Sequence, residues 1–184
     1  MIKRLFDIAI AAIVGILCLP LALLSACAVW LESGSPIIYP SLRIGQFGKP
    51  FFYFRFRTMA GDPLHKTRFG RFIGNLSLDE LPVLWNVLKG ELSIVGPRPE
   101  ILEKVDLSDP VRQTILSVRS GITGLGLLSY LEKFNETAVQ ERIQPDLFYA
   151  LNHSLSLDIR LMWKTAYLWA KMGHLKGKMR SNEK

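Results

Sequence analysis

Asp79 and Glu80 stand side by side in the stretch Asn75-Leu76-Ser77-Leu78-Asp79-Glu80-Leu81-Pro82, with Arg55, Arg57 and Arg71 before them and Arg98 after. Two acids at the start of a helix usually do no more than complement its dipole. Guanidinium groups around them change the meaning, because arginine forks match the oxygens of phosphate and can hold a diphosphate between them. A carboxylate beside bound phosphate is repelled by it, so its attack on phosphorus requires arginines or a divalent cation to cancel that repulsion, and magnesium is the natural candidate. An ionised aspartate so placed can form an aspartyl phosphate, a known form of covalent catalysis.

These groups have to be held by local structure. In Phe51-Phe52-Tyr53-Phe54-Arg55-Phe56-Arg57, period two predicts a strand with Phe52, Phe54 and Phe56 on one face and Tyr53, Arg55 and Arg57 on the other. With Ile37 to Tyr39 it reads as a hairpin-like pair around Gly45 and Gly48. Arg68 to Ile73 opens a short helix or turn. Leu81, Leu84, Trp85 and Leu88 repeat at helical spacing and Gly90 is a natural stop. Ser77 and Glu80 fit capping-box spacing, although Pro82 suits a start nearer Asp79, and either start puts both carboxylates in the first turn. Leu92 to Val95 reads as a short strand leading to Gly96-Pro97-Arg98-Pro99, where two prolines restrict the backbone around one arginine. Glu100 to Arg119 is expected to carry another helix, and Gly121-Ile122-Thr123-Gly124 a turn-rich loop.

The N-terminal run Ile8 to Leu31 carries no charge and as a straight helix would reach roughly 36 Å. One reading is a cleaved signal, with Lys3 and Arg4 as its basic start and Leu24-Ser25-Ala26-Cys27 as a lipoprotein-type processing box. A second is a spanning helix. Both flanks are basic, however, since Arg43, Lys49, Arg55, Arg57, Lys66, Arg68 and Arg71 follow the run, and both ends therefore prefer the same side of a membrane. Pro20 removes one backbone donor near the middle and predicts a bend, so a re-entrant helix is the favoured reading. Leu19 and Pro20 at the break and Trp30 near the exit are then its membrane residues. Near the other terminus, Leu157 to Met172 mixes Trp163, Tyr167 and Trp169 with Arg160, Lys164 and Lys171, an interfacial signature.

Composition agrees with a membrane protein. The 184 residues carry a net charge of +7 together with 49% hydrophobic residues, and basic groups beside apolar surface suit anionic membranes and phosphate-rich ligands. Nucleic acid is not an expected partner, for there is neither a zinc pattern nor a recognition-helix arrangement. Cys18 and Cys27 offer no disulfide framework, and His65, His153 and His174 form no cluster.

The run Ser77 to Pro82, then Leu84-Trp85-Asn86-Val87-Leu88-Lys89-Gly90, then Val95-Gly96-Pro97-Arg98-Pro99 closely resembles the monotopic phosphoglycosyl transferases of bacteria. The likeness extends to the proline-broken membrane segment, to Phe56 to Met59, to Gly121 to Gly124, and to Asp146, Tyr149, Ser154-Leu155 and Asp158. It implies a mainly α, mixed fold with a short β-hairpin: a re-entrant helix over 1–33, a catalytic domain over 34–175 ending in an interfacial helix, and a basic tail over 176–184. It implies a site on the cytoplasmic leaflet of the bacterial inner membrane, with a UDP-sugar donor, undecaprenyl phosphate as acceptor, and Mg2+ held by Asp79 and Glu80. Asp79 would attack the sugar-bearing phosphate, Glu80 would assist at the metal or accept a proton, and UMP would leave before the lipid phosphate takes the sugar phosphate. Arg55 and Arg98, beside Pro97, match phosphate-holding positions, and Arg57 is a second clamp. Gly74 stands where relatives often carry an arginine, which Arg71 could replace, and Val83, Ser120 and Leu19 also depart from the pattern. These departures keep a catalytically weakened member open as an alternative, beside an exported lipoprotein-type binding module.

Overall fold

The computed structural model describes residues 2–61, 64–130 and 139–181, and the side chains of these except 104, 139–142 and 170–181. It is mainly helical, with three two-stranded sheets among the described residues.

The apolar N-terminal run forms one helix, α1 (Ile2–Ser33), which continues through Pro20. It is the one helix among the described residues long and apolar enough to cross a membrane. Its inner face is small or polar. Asp7, Ala11, Ser25 and Val29 are buried, Gly15 lies against Leu84, and Ala22 and Ala26 pack with Val29, Phe56 and Ile73. Residues spaced three and four apart share a helix face, so this stripe lets the domain approach the backbone along nearly the whole helix. Ile13, Ile16, Leu17, Leu19, Leu23, Leu24, Trp30 and Leu31 remain exposed. An apolar surface of that extent on a soluble monomer would be unusual. Both ends of α1 are tied to the same domain. Arg4 donates to the Val87 and Leu88 carbonyls, Glu32 accepts from the Phe69 amide, and Arg57 donates to the Ser33 carbonyl.

The expected hairpin is present with longer strands. β1 (Ile38–Ile44) pairs antiparallel with β2 (Pro50–Phe56), with Arg43 opposite Phe51, Ser41 opposite Tyr53 and Tyr39 opposite Arg55. The two faces divide as the alternation predicts. Phe51 and Tyr53 are buried on the face that carries Arg55, whereas Phe52 is exposed and Arg57 lies beyond the strand. With aromatics on both faces, period two identified the strand but not its inner side. β3 (Met59–Ala60) and β4 (His65–Lys66) form a small second ladder.

α2 (Arg68–Asn75) is capped by Thr67, whose hydroxyl accepts from the Gly70 amide. The expected Ser77–Glu80 capping box does not form. Ser77 takes the left-handed conformation (φ +56°) with no side-chain cap, and Leu78–Glu80 make a separate 3-10 turn before α3 (Val83–Lys89). Gly90 closes α3 at φ +93°, as a C-terminal glycine does.

β5 (Ser93–Val95) is the expected strand, and its partner is β6 (Gly121–Thr123), parallel to it, where a loop had been expected. Glycine makes the pairing possible, since a Cβ on Gly121 would fall 2.1 Å from the Gly96 nitrogen. The Glu100 to Arg119 segment is broken into a 3-10 turn at Leu102–Lys104 and α4 (Pro110–Leu116), with Asp109 capping α4. α5 (Leu125–Ser129), α6 (Val139–Asn152) and α7 (Leu155–Ser181) complete the chain. The main core gathers Ala11 of α1, Phe51 and Tyr53 of β2, Val83 and Val87 of α3, Leu92, Ile94, Val95, Leu128, Tyr149 and Leu161. On α7, Ile159, Trp163 and Tyr167 recur every four residues on an exposed face, Trp163 at 74% exposure. α7 runs on past residue 175 into the expected basic tail, of which 182–184 lie outside the described residues.

Candidate active site

Asp79 lies in the 3-10 turn between α2 and α3, only 8% exposed. The left-handed Ser77 turns the chain so that this short segment crosses the end of β2. Asn86 locks α3 to that strand: its amide oxygen accepts from the Phe54 amide at 3.2 Å and its nitrogen donates to the Phe52 carbonyl at 2.6 Å. The same amide nitrogen reaches Glu91 at 2.6 Å. A fully buried polar side chain that completes strand bonds fixes where Arg55, one residue further along β2, meets the turn.

Arg98 comes from the opposite side. β5 delivers the chain to Gly96-Pro97, and the Pro97 carbonyl accepts from the Gly121 amide at 2.8 Å, so the segment before Arg98 is bonded to β6. Arg98 Nη2 donates to Glu80 Oε1 at 2.8 Å, and Arg55 Nη1 approaches the same oxygen at 3.4 Å and Asp79 Oδ2 at 3.8 Å. Two arginines thus share one glutamate while the aspartate beside it remains less engaged.

These groups line a polar cavity of about 560 Å³, together with Arg43, Lys66, Arg71, Gly74, Asn75, Ser77 and Glu100. Of the sequence candidates, Asp79, Glu80, Arg55, Arg71 and Arg98 meet there. Arg57 does not line it; its guanidinium donates to the carbonyls of Met59, Ser33 and Ser35 and fastens the exit of α1. Pro97 is buried behind the arginine, against a small cavity lined also by Arg112 and Asp146. Leu19, Pro20 and Trp30 are exposed along α1, away from the cavity. Gly74 opens on the cavity with nothing within 4 Å of where a Cβ would stand.

Among the cavity residues that motif reading missed, Arg43 adds a further guanidinium. It shares the inner face of the hairpin with Tyr53 and Arg55, and the two guanidiniums lie 6.0 and 5.9 Å from the Tyr53 ring centre. The signal available was the cross-strand register of the hairpin, which no single motif carries.

Burial pushes the Asp79 carboxyl above its ordinary value and Glu80 adds to the rise, while Arg55 and Arg98 act against it. Burial pulls the Arg98 guanidinium down, but Glu80, Tyr53 and Glu100 together more than offset this and its pKa is raised. Burial lowers that of Arg43, with Arg55 and Arg98 repelling it further, and burial raises the Tyr53 phenol. A concentration of positive charge around an imperfectly compensated aspartate is a site made for an anion.

No cluster of three or more His, Cys, Asp or Glu able to hold a metal exists among the described residues. Two adjacent carboxylates nevertheless fit magnesium, which keeps waters and takes phosphate oxygens rather than requiring an all-protein cage.

A model of the family described as bacterial sugar transferase matches residues 1–172. The chain is 37% identical over 175 residues to the uncharacterized sugar transferase EpsL of Bacillus subtilis, covering 89% of this chain and 85% of that protein. It is 32% identical to the UDP-glucose:undecaprenyl-phosphate glucose-1-phosphate transferase of Klebsiella pneumoniae, covering 90% of this chain but 39% of that longer protein. It is 33% identical to the exopolysaccharide production protein ExoY of Rhizobium meliloti, covering 90% and 84%. A nearly full-length family match, and a carboxylate pair set among arginines, make this chain an enzyme of the bacterial sugar transferase family, a bacterial phosphoglycosyl transferase.

Proposed function

We propose that the protein transfers a sugar 1-phosphate from a UDP-sugar to undecaprenyl phosphate, with release of UMP, in two half-reactions through a phosphosugar ester of Asp79. The observation that carries this reading is the buried Asp79 on the cavity wall, adjacent to a glutamate paired with both Arg55 and Arg98. The names of its relatives support the substrates: UDP-glucose and undecaprenyl phosphate for the proteins of Klebsiella pneumoniae and Caulobacter vibrioides, and UDP-N-acetylgalactosamine for that of Aeromonas hydrophila.

In the first half-reaction an Asp79 carboxylate oxygen bonds to the sugar-bearing phosphorus as the bond from that phosphorus to the bridging oxygen breaks, and UMP departs with the electron pair. Arg55 and Arg98 exchange part of their pairing with Glu80 for phosphate oxygens and offset the charge that gathers there. In the second, an oxygen of the lipid phosphate bonds to the same phosphorus and the aspartyl oxygen leaves, restoring Asp79. Magnesium held by Asp79, Glu80, phosphate oxygens and water would supply further charge neutralisation. Arg43 and Arg71 extend the positive wall toward the nucleotide.

The ends of α1 support the membrane reading. Arg4 and Glu32 bond to one domain, and the apolar outward face lies between them. We infer that α1 enters and leaves the cytoplasmic leaflet of the inner membrane, with the exposed Trp163 and Tyr167 of α7 at the interface. Across α2 from the polar cavity, an open depression of about 530 Å³ is lined by Ala28, Leu31, Phe69 and Phe72 together with Glu32 and Arg68, a suitable seat for a prenyl chain with its phosphate near Arg68. Cleavage at Cys27 would remove Lys3, Arg4 and Asp7, all bonded into the domain, which disfavours the lipoprotein alternative.

The test is UMP release by detergent-purified protein supplied with undecaprenyl phosphate, magnesium and a panel of UDP-sugars. Turnover that needs lipid, metal and Asp79 is expected. Folded protein that binds lipid yet releases UMP from no donor would contradict the proposal and favour a weakened family member.

A further inference from the structure

The first two turns of α1 carry Lys3, Arg4 and Asp7, and all of them bond to the domain. Arg4 donates through Nη1 to the Val87 carbonyl at 2.6 Å and through Nη2 to the Leu88 carbonyl at 2.9 Å. Those carbonyls belong to the last turn of α3, the helix that follows directly on the Asp79–Glu80 turn. A guanidinium on C-terminal carbonyls satisfies groups the helix leaves unpaired and complements its dipole. Gly90 leaves the room for it, since a Cβ there would stand 3.2 Å from Arg4 Nη2.

Lys3 acts on the other side. Its ammonium donates to the Val95 carbonyl at 3.2 Å and to the Tyr149 hydroxyl at 3.4 Å, and it forms an ion pair with Asp158, which is 1% exposed. The Tyr149 hydroxyl is within hydrogen-bond distance of the same Val95 carbonyl, at 2.9 Å, and of Asp158, at 2.7 Å. Val95 is the last residue of β5, three positions before Arg98. One turn further along α1, Asp7 accepts from the Ile94 amide at 3.1 Å and from the Ser93 hydroxyl at 2.9 Å.

Arg4 therefore holds the end of α3 remote from the Glu80 turn, and Lys3 holds the end of β5 that leads into Arg98. We propose that Lys3, Arg4 and Asp7 form a bracket that fixes α3 against β5 and so sets the spacing of Glu80 and Arg98 across the cavity. They are positioning residues: none lines the cavity. The basic start of a membrane helix is ordinarily read as an orientation signal. Here its cations are engaged by the catalytic domain, and Asp158 at the start of α7 brings the interfacial helix into the same junction. The inference rests on the transferase reading for what the spacing accomplishes, and on the contacts alone for the bracket itself.

The experiment uses the full chain, purified in detergent so that orientation in a membrane has no influence. Amide hydrogen exchange is compared for the wild type, Lys3→Met, Arg4→Gln, Lys3→Arg and Asp158→Asn. Expected is exchange faster by about tenfold or more over 93–98 in Lys3→Met and over 86–90 in Arg4→Gln, with the hairpin 38–56 unchanged and Lys3→Arg close to wild type. With the donor that turns over in the panel, kcat falls by roughly ten- to a hundredfold while KM moves less. The loss shrinks when Lys3→Met is combined with Arg98→Lys, because coupled residues are not additive. Unchanged exchange over 93–98, or a uniform rise that includes the hairpin, would overturn the bracket. So would activity losses that appear in membranes but not in detergent, or that add fully to those of Arg98→Lys. If no donor turns over in the wild type, the transferase reading fails while the exchange pattern still decides the bracket.

Discussion

Asp79 combines two requirements that conflict. Burial and Glu80 raise its pKa, whereas an attacking carboxylate has to be ionised. A raised folded pKa means that the stability contributed by the protonated group is fully present below the unfolded pKa and lost as pH rises through the folded one. At neutral pH Asp79 therefore strains the fold, and Asp79→Asn is expected to raise Tm by roughly 2–4 °C near pH 8, with the difference shrinking in acid. Thermal shift at the two pH values checks this. The acid limb of kcat/KM for the wild type is expected above the ordinary aspartate value, and a limb at or below that value would remove burial as the controlling influence. The arginines separate by what they touch. Arg98→Ala, which takes away the 2.8 Å partner of Glu80, is expected to lower kcat/KM by about a hundredfold or more. Arg57→Ala, which loses only backbone carbonyls at the exit of α1, is expected to lower it by less than about tenfold. Steady-state UMP release measures both.

At the scale of elements, Asn86 is the test of how α3 is held. Asn86→Leu leaves the Phe54 amide and the Phe52 carbonyl without their side-chain partner and is expected to destabilise the protein by about 2–4 kcal/mol. A smaller loss in detergent unfolding would mean that α3 is positioned by apolar packing alone. Much of this was legible in the sequence. Period two and two glycines located the hairpin, Gly90 ended α3, and paired prolines marked the segment that holds Arg98. Other features were not, for physical reasons. Phe51 to Phe56 is aromatic on both faces, so alternation did not reveal that Phe51 and Tyr53 point inward beside Arg55. β6 is three residues long and pairs with a strand more than twenty residues away, which leaves no local signal beyond its glycines. Ser77 satisfied the spacing of a cap yet serves as a left-handed turn, because Pro82 and the tight 3-10 segment displace the helix start. Lys3 and Arg4 read as flanking charge because their partners lie more than eighty residues on.

The whole molecule is a catalytic domain built along one helix. α1 offers a small-residue stripe to the domain and a broad apolar face to its surroundings, and its two ends bond to the same body. The proposed membrane placement would bring the polar cavity close to a lipid surface without burying its arginines in hydrocarbon, where unpaired charge is costly. Replacing Trp163 and Tyr167 together by serine is expected to release the protein from anionic vesicles more readily in flotation while leaving UMP release in detergent within about threefold, since neither residue lines the cavity. An equal loss in detergent would assign these aromatics to the fold and not to the membrane. The proposed covalent step at Asp79 is decided by a single turnover without acceptor: purified protein, magnesium and a UDP-sugar, followed by intact mass and quantified UMP. Wild type is expected to gain the mass of one sugar phosphate as it releases an equivalent of UMP, lipid phosphate then to remove the added mass, and Asp79→Asn to show neither event. Turnover with lipid but no UMP and no mass gain in its absence would contradict it, and would mean that donor and acceptor react directly in one ternary complex.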